Sequence, residues 1–172
     1  MGNAKILVVD DSNTKRAIYK EMMLKEGYAV IEAVDGEDGI KKTKTEFPDV
    51  IIADLAMPKM DGFKMVEIIK KDENAKYVPI ICISATYKDM VSKLRVLNEL
   101  GAEEYFYMPE NTEDLLIKVK VMLRIRSLYL ELLEKNKQLK IFNSAAVDRE
   151  LKMVELKKKI KVLEEELAKH KK

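Results

Sequence analysis

Three aspartates follow two apolar runs of the sequence, at the points where strands are predicted to end. Asp10 and Asp11 come directly after the mainly apolar run 5–9, and Asp54 comes directly after the run 50–53. Because neither run alternates apolar with polar residues, both fit strands that are buried on both faces of a parallel sheet. The carboxyl ends of such strands form the ligand crevice of an open α/β sheet, so the three carboxylates are expected to meet there.

Carboxylates that meet in one crevice repel each other unless a cation neutralises them. Mg²⁺ is a hard cation that prefers oxygen ligands and is usually held by one or two carboxylates. The spacing therefore predicts a Mg²⁺ site made by Asp10, Asp11 and Asp54, and we expect no other cofactor.

Strand and helix patterns alternate up to about residue 123 and must position these acids. The predicted strands are 5–9, 28–33, 50–53, 78–83 and 104–107. The predicted helices are 13–25, 36–46, one that begins at 61–62, and 88–100. Strands that alternate with helices imply right-handed crossovers and an α/β fold with a doubly wound, five-stranded parallel sheet. By analogy with flavodoxin-like folds, the expected strand order is 2-1-3-4-5.

The last part of the chain has the pattern of one long helix. Thr112 can cap this helix, and neither proline nor glycine occurs from there to Lys172. One fully apolar series repeats every seven residues: Ile125, Leu132, Leu139, Ala146, Met153, Ile160 and Leu167. The series three residues later is apolar at four of seven places: Leu128, Lys135, Phe142, Arg149, Leu156, Leu163 and His170. The pattern predicts a coiled coil, and the alternation of Leu156, Ile160 and Leu163 favours a parallel pair of helices.

A break in this helix is possible at 143–146, because Asn143 and Ser144 are good helix caps. Such a break would allow an antiparallel hairpin within one chain. The seven-residue repeat passes through the segment without a skip, which favours a continuous or gently bent helix. The predicted organisation is a domain over 1–123 and a coiled-coil extension over 124–172.

These motifs resemble the receiver domain of two-component response regulators, over roughly residues 3–123. The acid pair after the first strand matches, and Asp54 matches the residue that accepts a phosphoryl group in that family. The loop 57–62 matches the family's usual loop after the acceptor. Ser84 matches the hydroxyl position after the fourth strand, and Tyr105 matches the switch aromatic of the fifth.

The resemblance implies a mechanism and partners. Asp54 would take the phosphoryl group from a sensor histidine kinase or a phosphotransfer protein, and the carbonyl of Ala56 would join the three aspartates around Mg²⁺. Ser84 would donate its hydroxyl to a phosphoryl oxygen, and the resulting loop movement would let Tyr105 change rotamer.

Met108 departs from the family, which has a lysine before the proline at this place. A lysine there would make a charge-assisted contact to the phosphoryl group, worth about 1.5–3 kcal/mol. Its loss is expected to weaken the conversion of phosphorylation into a conformational change. Lys59 and Lys88 are the candidates for a substitute.

We therefore expect a response regulator, not an enzyme, with a homodimeric coiled coil and output by protein–protein interaction. A first alternative is a pseudo-receiver that serves as a dimeric scaffold without phosphate. A second is a phosphatase with Asp54 as nucleophile, which is disfavoured because haloacid-dehalogenase-type enzymes need an aspartate where this chain has Ala56.

Composition limits the partners. The chain has 32 basic and 30 acidic residues and a net charge of +2, so no overall field favours nucleic acid or membrane. The single cysteine, Cys82, excludes a disulfide framework and fits a reducing cytosol. No apolar run approaches the roughly 20 residues that span a bilayer. A cytoplasmic protein without nucleic-acid or membrane partners is expected.

Overall fold

The computed structural model describes residues 4–107 and 112–170 of the 172-residue chain. Within these residues, the strands are β1 (Lys5–Val9), β2 (Ala29–Ala33), β3 (Val50–Asp54), β4 (Ile80–Ser84) and β5 (Glu104–Tyr107). The helices are α1 (Asn13–Lys25), α2 (Gly36–Glu46), α3 (Gly62–Lys71), α4 (Met90–Leu94) and α5 (Thr112–His170).

The five strands form one parallel sheet in the order β2-β1-β3-β4-β5. The predicted fold class and strand order are confirmed. Val9 at the end of β1 pairs with Ala53 of β3, so the next residues, Asp10 and Asp54, lie side by side at this end of the sheet. The sheet itself thus brings two predicted site residues together.

Two apolar clusters cover the two faces of this sheet, because successive residues of a strand point to opposite sides. Leu7 and Val9 of β1 belong to one cluster, and Ile6 and Val8 belong to the other. Cys82 of β4 lies fully buried in the first cluster. Helix α3 contributes to that cluster Phe63, Met65, Val66 and Ile69. The second cluster includes Tyr19 and Met23 from helix α1. It also includes Leu115, Val119 and Met122 from helix α5.

The segment predicted as one helix over 88–100 is divided. Helix α4 ends at Leu94, and a π-helical turn follows over Arg95–Glu99. The amide of Leu100 donates to the carbonyl of Arg95 at 3.0 Å, one residue further back than in an α-helix. Val96 in this turn is fully buried, so the wider turn goes with a side chain that packs into the core.

The chain divides into two compact units, Met1–Tyr129 and Leu130–Lys172. The first unit extends past the predicted domain end at residue 123, because the rings of Tyr129 and Tyr77 stack with their centroids 4.1 Å apart. In addition, the guanidinium of Arg126 donates to the carbonyl of Tyr77 at 3.1 Å.

The second unit consists of helix, and helical conformation continues through 143–146. Its described apolar side chains are exposed, among them Leu132, Leu139, Met153, Leu156 and Ile160. Among the described helices, none has an apolar stretch of the length that a bilayer crossing requires.

Candidate functional site

The three predicted aspartates form one cluster at the carboxyl end of the sheet. One carboxylate oxygen from each of Asp10, Asp11 and Asp54 lies within 4.8 Å of the others. Asp10 and Asp54 are buried, whereas Asp11 is exposed. The cluster has the ligand type and the spacing to hold a metal ion.

Each buried carboxylate uses its two oxygens differently. Asp10 accepts a hydrogen bond on Oδ1 from the amide of Ser12 at 2.8 Å, and Asp54 accepts one on Oδ1 from the amide of Ala56 at 3.0 Å. The Oδ2 atoms of both face Lys15, whose Nζ lies 2.6 Å from Asp54 and 3.4 Å from Asp10. The described contact of Ala56 is through its amide, and its role as a carbonyl ligand stays a prediction.

Lys15 is the site residue that sequence reasoning missed. It lies in the first turn of α1, five residues after Asp10, and this placement was the available signal. The two lysines proposed as substitutes are engaged elsewhere: Nζ of Lys59 lies 2.7 Å from Asp35, and Nζ of Lys88 lies 5.0 Å from the centre of the Tyr107 ring.

Burial and charge shift the proton affinities of this cluster. Burial raises the pKa of Asp10 to about 6, and the charge of Asp54 adds to the effect, while the amide of Ser12 and the ammonium of Lys15 oppose it. Burial by itself would lower the pKa of Lys15, but its hydrogen bond to Asp54 and the charges of both aspartates raise it. A single ammonium thus leaves the three carboxylates under-neutralised, and this donor set fits a divalent cation.

Ser84 ends the strand next to that of Asp54 and is fully buried. Its Oγ accepts hydrogen bonds from the amides of Thr86 at 3.1 Å and Tyr87 at 2.8 Å. Burial raises the pKa of the Tyr105 hydroxyl, and a hydrogen bond from the side chain of Ser84 opposes this effect, so the two predicted switch residues are in contact.

Tyr105 is buried in β5, and its hydroxyl donates to the carbonyl of Tyr87. The loop 84–87 is therefore held by Ser84 at its start and by Tyr105 at its end. The predicted switch pair contacts the same loop. Met108, the predicted departure from the family, lies outside the described residues.

The loop after Asp54 packs tightly against the strand end. The amide of Gly62 donates to the carbonyl of Leu55 at 3.0 Å. A Cβ atom added at Gly62 would lie 2.3 Å from the carbonyl oxygen of Asp54 and 2.8 Å from Cα of Leu55. The loop thus approaches β3 more closely than a side chain at this position would allow, and this contact fixes the backbone that carries Asp54.

A parallel sheet in this order, with two acids after β1 and an aspartate at the end of β3, defines a receiver domain. The chain belongs to the response regulator receiver family, because the sequence model of the response regulator receiver domain matches residues 6–120. The predicted resemblance is confirmed.

Similar proteins differ in length. The alkaline phosphatase synthesis transcriptional regulatory protein PhoP of Bacillus subtilis is 37% identical over 123 residues, which are 71% of this chain and 49% of that protein. Protein PilH of Pseudomonas aeruginosa is 33% identical over 120 residues, which are 70% of this chain and 98% of that protein. The chain thus spans about half the length of the first of these relatives.

A crystal structure of similar fold is that of a CheY-like response regulator receiver domain protein from Methanospirillum hungatei. It superposes with a TM-score of 0.69 at 28% identity and covers 74% of this chain and 99% of its own. The similarity therefore concerns the receiver part of the chain.

Proposed function

We propose that this receiver accepts a phosphoryl group on Asp54 from a sensor histidine kinase or a phosphotransfer protein. The observation that carries the proposal is the cluster of Asp10, Asp11 and Asp54 at one end of the sheet. In the transfer, an Asp54 oxygen bonds to phosphorus while the bond from phosphorus to the donor nitrogen breaks.

The three aspartates would hold Mg²⁺, and the carbonyl of Ala56 is proposed as a further ligand. When bound, Mg²⁺ neutralises negative charge on the transferring oxygens. The protein's own contribution is placement: the amide of Ala56 holds one oxygen of Asp54 at 3.0 Å, and the amide of Ser12 holds one oxygen of Asp10 at 2.8 Å.

We propose that Ser84 and Tyr105 transmit the change. The Ser84 proton donates to a phosphoryl oxygen, and the loop 84–87 follows because its amides are bonded to the Ser84 oxygen. The movement reaches Tyr105 through its hydrogen bond to the Tyr87 carbonyl.

The output is proposed to be protein–protein interaction, by a homodimer whose α5 helices form a parallel coiled coil. The exposed apolar side chains at seven-residue spacing support this part of the proposal. Nucleic acid and membrane are not proposed as partners, and the cytoplasmic location and the absence of enzymatic activity stay predictions.

A pseudo-receiver that acts as a scaffold without phosphate is the second candidate. Two observations favour it: Met108 replaces the family's lysine, and Lys15 already forms an ion pair with the proposed acceptor at 2.6 Å. In this alternative the ion pair of Lys15 with Asp54 would be permanent.

Incubation with acetyl phosphate and Mg²⁺, followed by intact mass spectrometry, tests the proposal. We expect one added phosphate in the wild type and none in Asp54→Asn. The control is Asp61→Asn, which lies outside the cluster and keeps a residue able to cap α3, so its phosphate should persist. A wild type without phosphate, together with a phosphorylated Met108→Lys variant, would instead establish the pseudo-receiver.

A further inference from the structure

Lys15 contacts the carboxylate oxygens of Asp10 and Asp54 that have no backbone hydrogen bond. Its ammonium contacts the Oδ2 atom of both Asp54 and Asp10, at 2.6 and 3.4 Å, while backbone amides bind both Oδ1 atoms. A metal ion that binds this pair through the oxygens free of backbone contacts therefore has to replace the ammonium.

The position of Lys15 conflicts with local helix chemistry. The first turn of a helix is the positive end of its dipole and favours acidic residues, yet the first turn of α1 contains none. Instead Lys15 and Arg16 are both there, and Arg16 donates to the Asp10 carbonyl at 2.7 Å. A residue that breaks a local rule while contacting a functional group is typical of a functional position.

The side chain of Lys15 is also able to leave. It is 39% exposed, and four rotatable methylenes connect the ammonium to α1. Movement into solvent needs no change in the sheet, and the ammonium stays attached close to the site.

We infer that Lys15 is a tethered counter-ion that competes with Mg²⁺ for the acidic site. This inference rests on the Mg²⁺ site of the proposed function. Without metal, Lys15 neutralises part of the charge on Asp10 and Asp54. Mg²⁺ displaces it, so the apparent affinity for Mg²⁺ is lower than that of the three carboxylates alone.

Titration calorimetry of Mg²⁺ into the full chain tests the inference. In Lys15→Met the competitor is absent and the cluster is more negative. Mg²⁺ should therefore bind at least about tenfold more tightly, because one charge at this distance changes a proton affinity by at least that factor. Lys15→Arg keeps the charge and should bind as weakly as the wild type.

Lys20→Met is the matched control. Lys20 lies on the same helix, has a similarly exposed side chain, and forms an ion pair with Glu32 at 2.5 Å instead of with the cluster. Its loss should leave the Mg²⁺ affinity within about twofold of the wild type, since its charge is exposed and screened. Lys15→Gln replaces Lys15→Met as the neutral variant if the methionine variant does not fold.

Thermal unfolding gives a second readout. Without metal, Lys15→Met should unfold at a lower temperature than the wild type, because the two buried carboxylates repel each other. Millimolar Mg²⁺ should remove this difference.

The inference is overturned if the neutral variants bind Mg²⁺ no more tightly than the wild type, or if none of the proteins binds it. Tighter binding by Lys15→Met, together with no phosphate on Asp54 in any variant, would support the counter-ion and reject phosphoryl acceptance. The two proposals can therefore fail separately.

Discussion

At the residue scale, Asp10 shows how burial can outweigh a nearby cation. The ammonium of Lys15 is 2.6 Å from Asp54 but 3.4 Å from Asp10. Burial therefore dominates at Asp10 and raises its pKa to about 6. Asp10 is thus the member of the pair that most lacks a positive partner.

Asp35 illustrates the opposite case. Its Oδ1 accepts from the amide of Asp38 at 2.9 Å and caps α2, while its Oδ2 accepts from Lys59 at 2.7 Å. The hydrogen bond from Lys59, followed by that from Asp38, lowers the pKa of Asp35. Because the folded pKa is lowered, the carboxylate stabilises the fold above its unfolded pKa of about 4 and loses this effect as the pH falls through the folded pKa.

We predict that Asp35→Ala lowers the free energy of unfolding by about 1 kcal/mol at pH 7, the usual effect of losing a helix cap. The loss should shrink as the pH falls from about 4 through the lower pKa of the folded carboxylate, because the unfolded chain and then the folded wild type take up the proton. Urea unfolding at both pH values measures it. Asp35→Asn is the matched control: it keeps a capping oxygen and should lose less at pH 7. An Asp35→Ala effect that is equal at both pH values would contradict the role of the charge.

The sequence located the aspartates but not their cation, for a physical reason. The aspartates lie at strand ends, and the apolar runs of the sequence predict where the strands end. The chain has 32 basic residues with long flexible side chains, and their reach depends on how helices pack on the sheet. Lys15, Lys59 and Lys88 each follow a segment of the site along the chain, so the order of the sequence does not show that Lys15 is the one that contacts Asp54.

At the scale of elements, the close contact between the start of α3 and the end of β3 positions Asp54. We predict that Gly62→Ala destabilises the protein by at least about 2 kcal/mol, because the added Cβ meets backbone atoms that cannot rotate away. The same variant should accept less phosphate, since Asp54 must shift with its carbonyl.

Gly27→Ala separates this contact from a general effect of replacing glycine. Gly27 has a positive φ of 83° and nothing within 4 Å of an added Cβ, so its substitution should cost only about 1 kcal/mol and leave phosphorylation unchanged. Denaturant unfolding and phosphate incorporation are measured for both. Equal losses for the two variants would contradict a special role of Gly62.

The strands and helices were predictable where apolar residues recur at regular spacing and turn residues mark both ends. The order of the sheet follows from alternating strands and helices, and β2 begins at Ala29, one residue after the predicted start. The π-helical turn at Arg95–Glu99 was not predictable, because it shifts the hydrogen bonds by one residue within a segment whose side chains are all compatible with an α-helix.

At the scale of the whole molecule, the exposed apolar positions of α5 predict self-association. The part of α5 over 128–167 is about 60 Å long at the rise of an α-helix. Its apolar stripe is therefore expected to need a helical partner. Ile160 and Leu163 are more than half exposed, and a parallel pairing would also place Lys159 opposite Glu164. We predict a dimer that forms without phosphate, measured by sedimentation equilibrium.

The double variant Ile160→Asp with Leu163→Asp should be monomeric, because two charged layers would enter the interface. Leu151→Asp with Val154→Asp is matched to it: these side chains are apolar and at least half exposed too, but lie outside the seven-residue series. This control should stay dimeric. A monomeric wild type, or dimers that tolerate both pairs equally, would contradict the coiled coil.

The reactivity of the buried Cys82 thiol can report local opening of the receiver sheet. It lies in β4 between Ala53 and Tyr105, it is the only cysteine of the 172 residues, and burial raises the pKa of its thiol. A thiol reagent can react only with the thiolate of an opened sheet, whether or not the helical residues after Tyr129 are paired. The alkylation rate of the native protein therefore reports how often the sheet opens. A variant that damages the receiver should raise this rate, whereas a variant that only disrupts the proposed coiled coil should not.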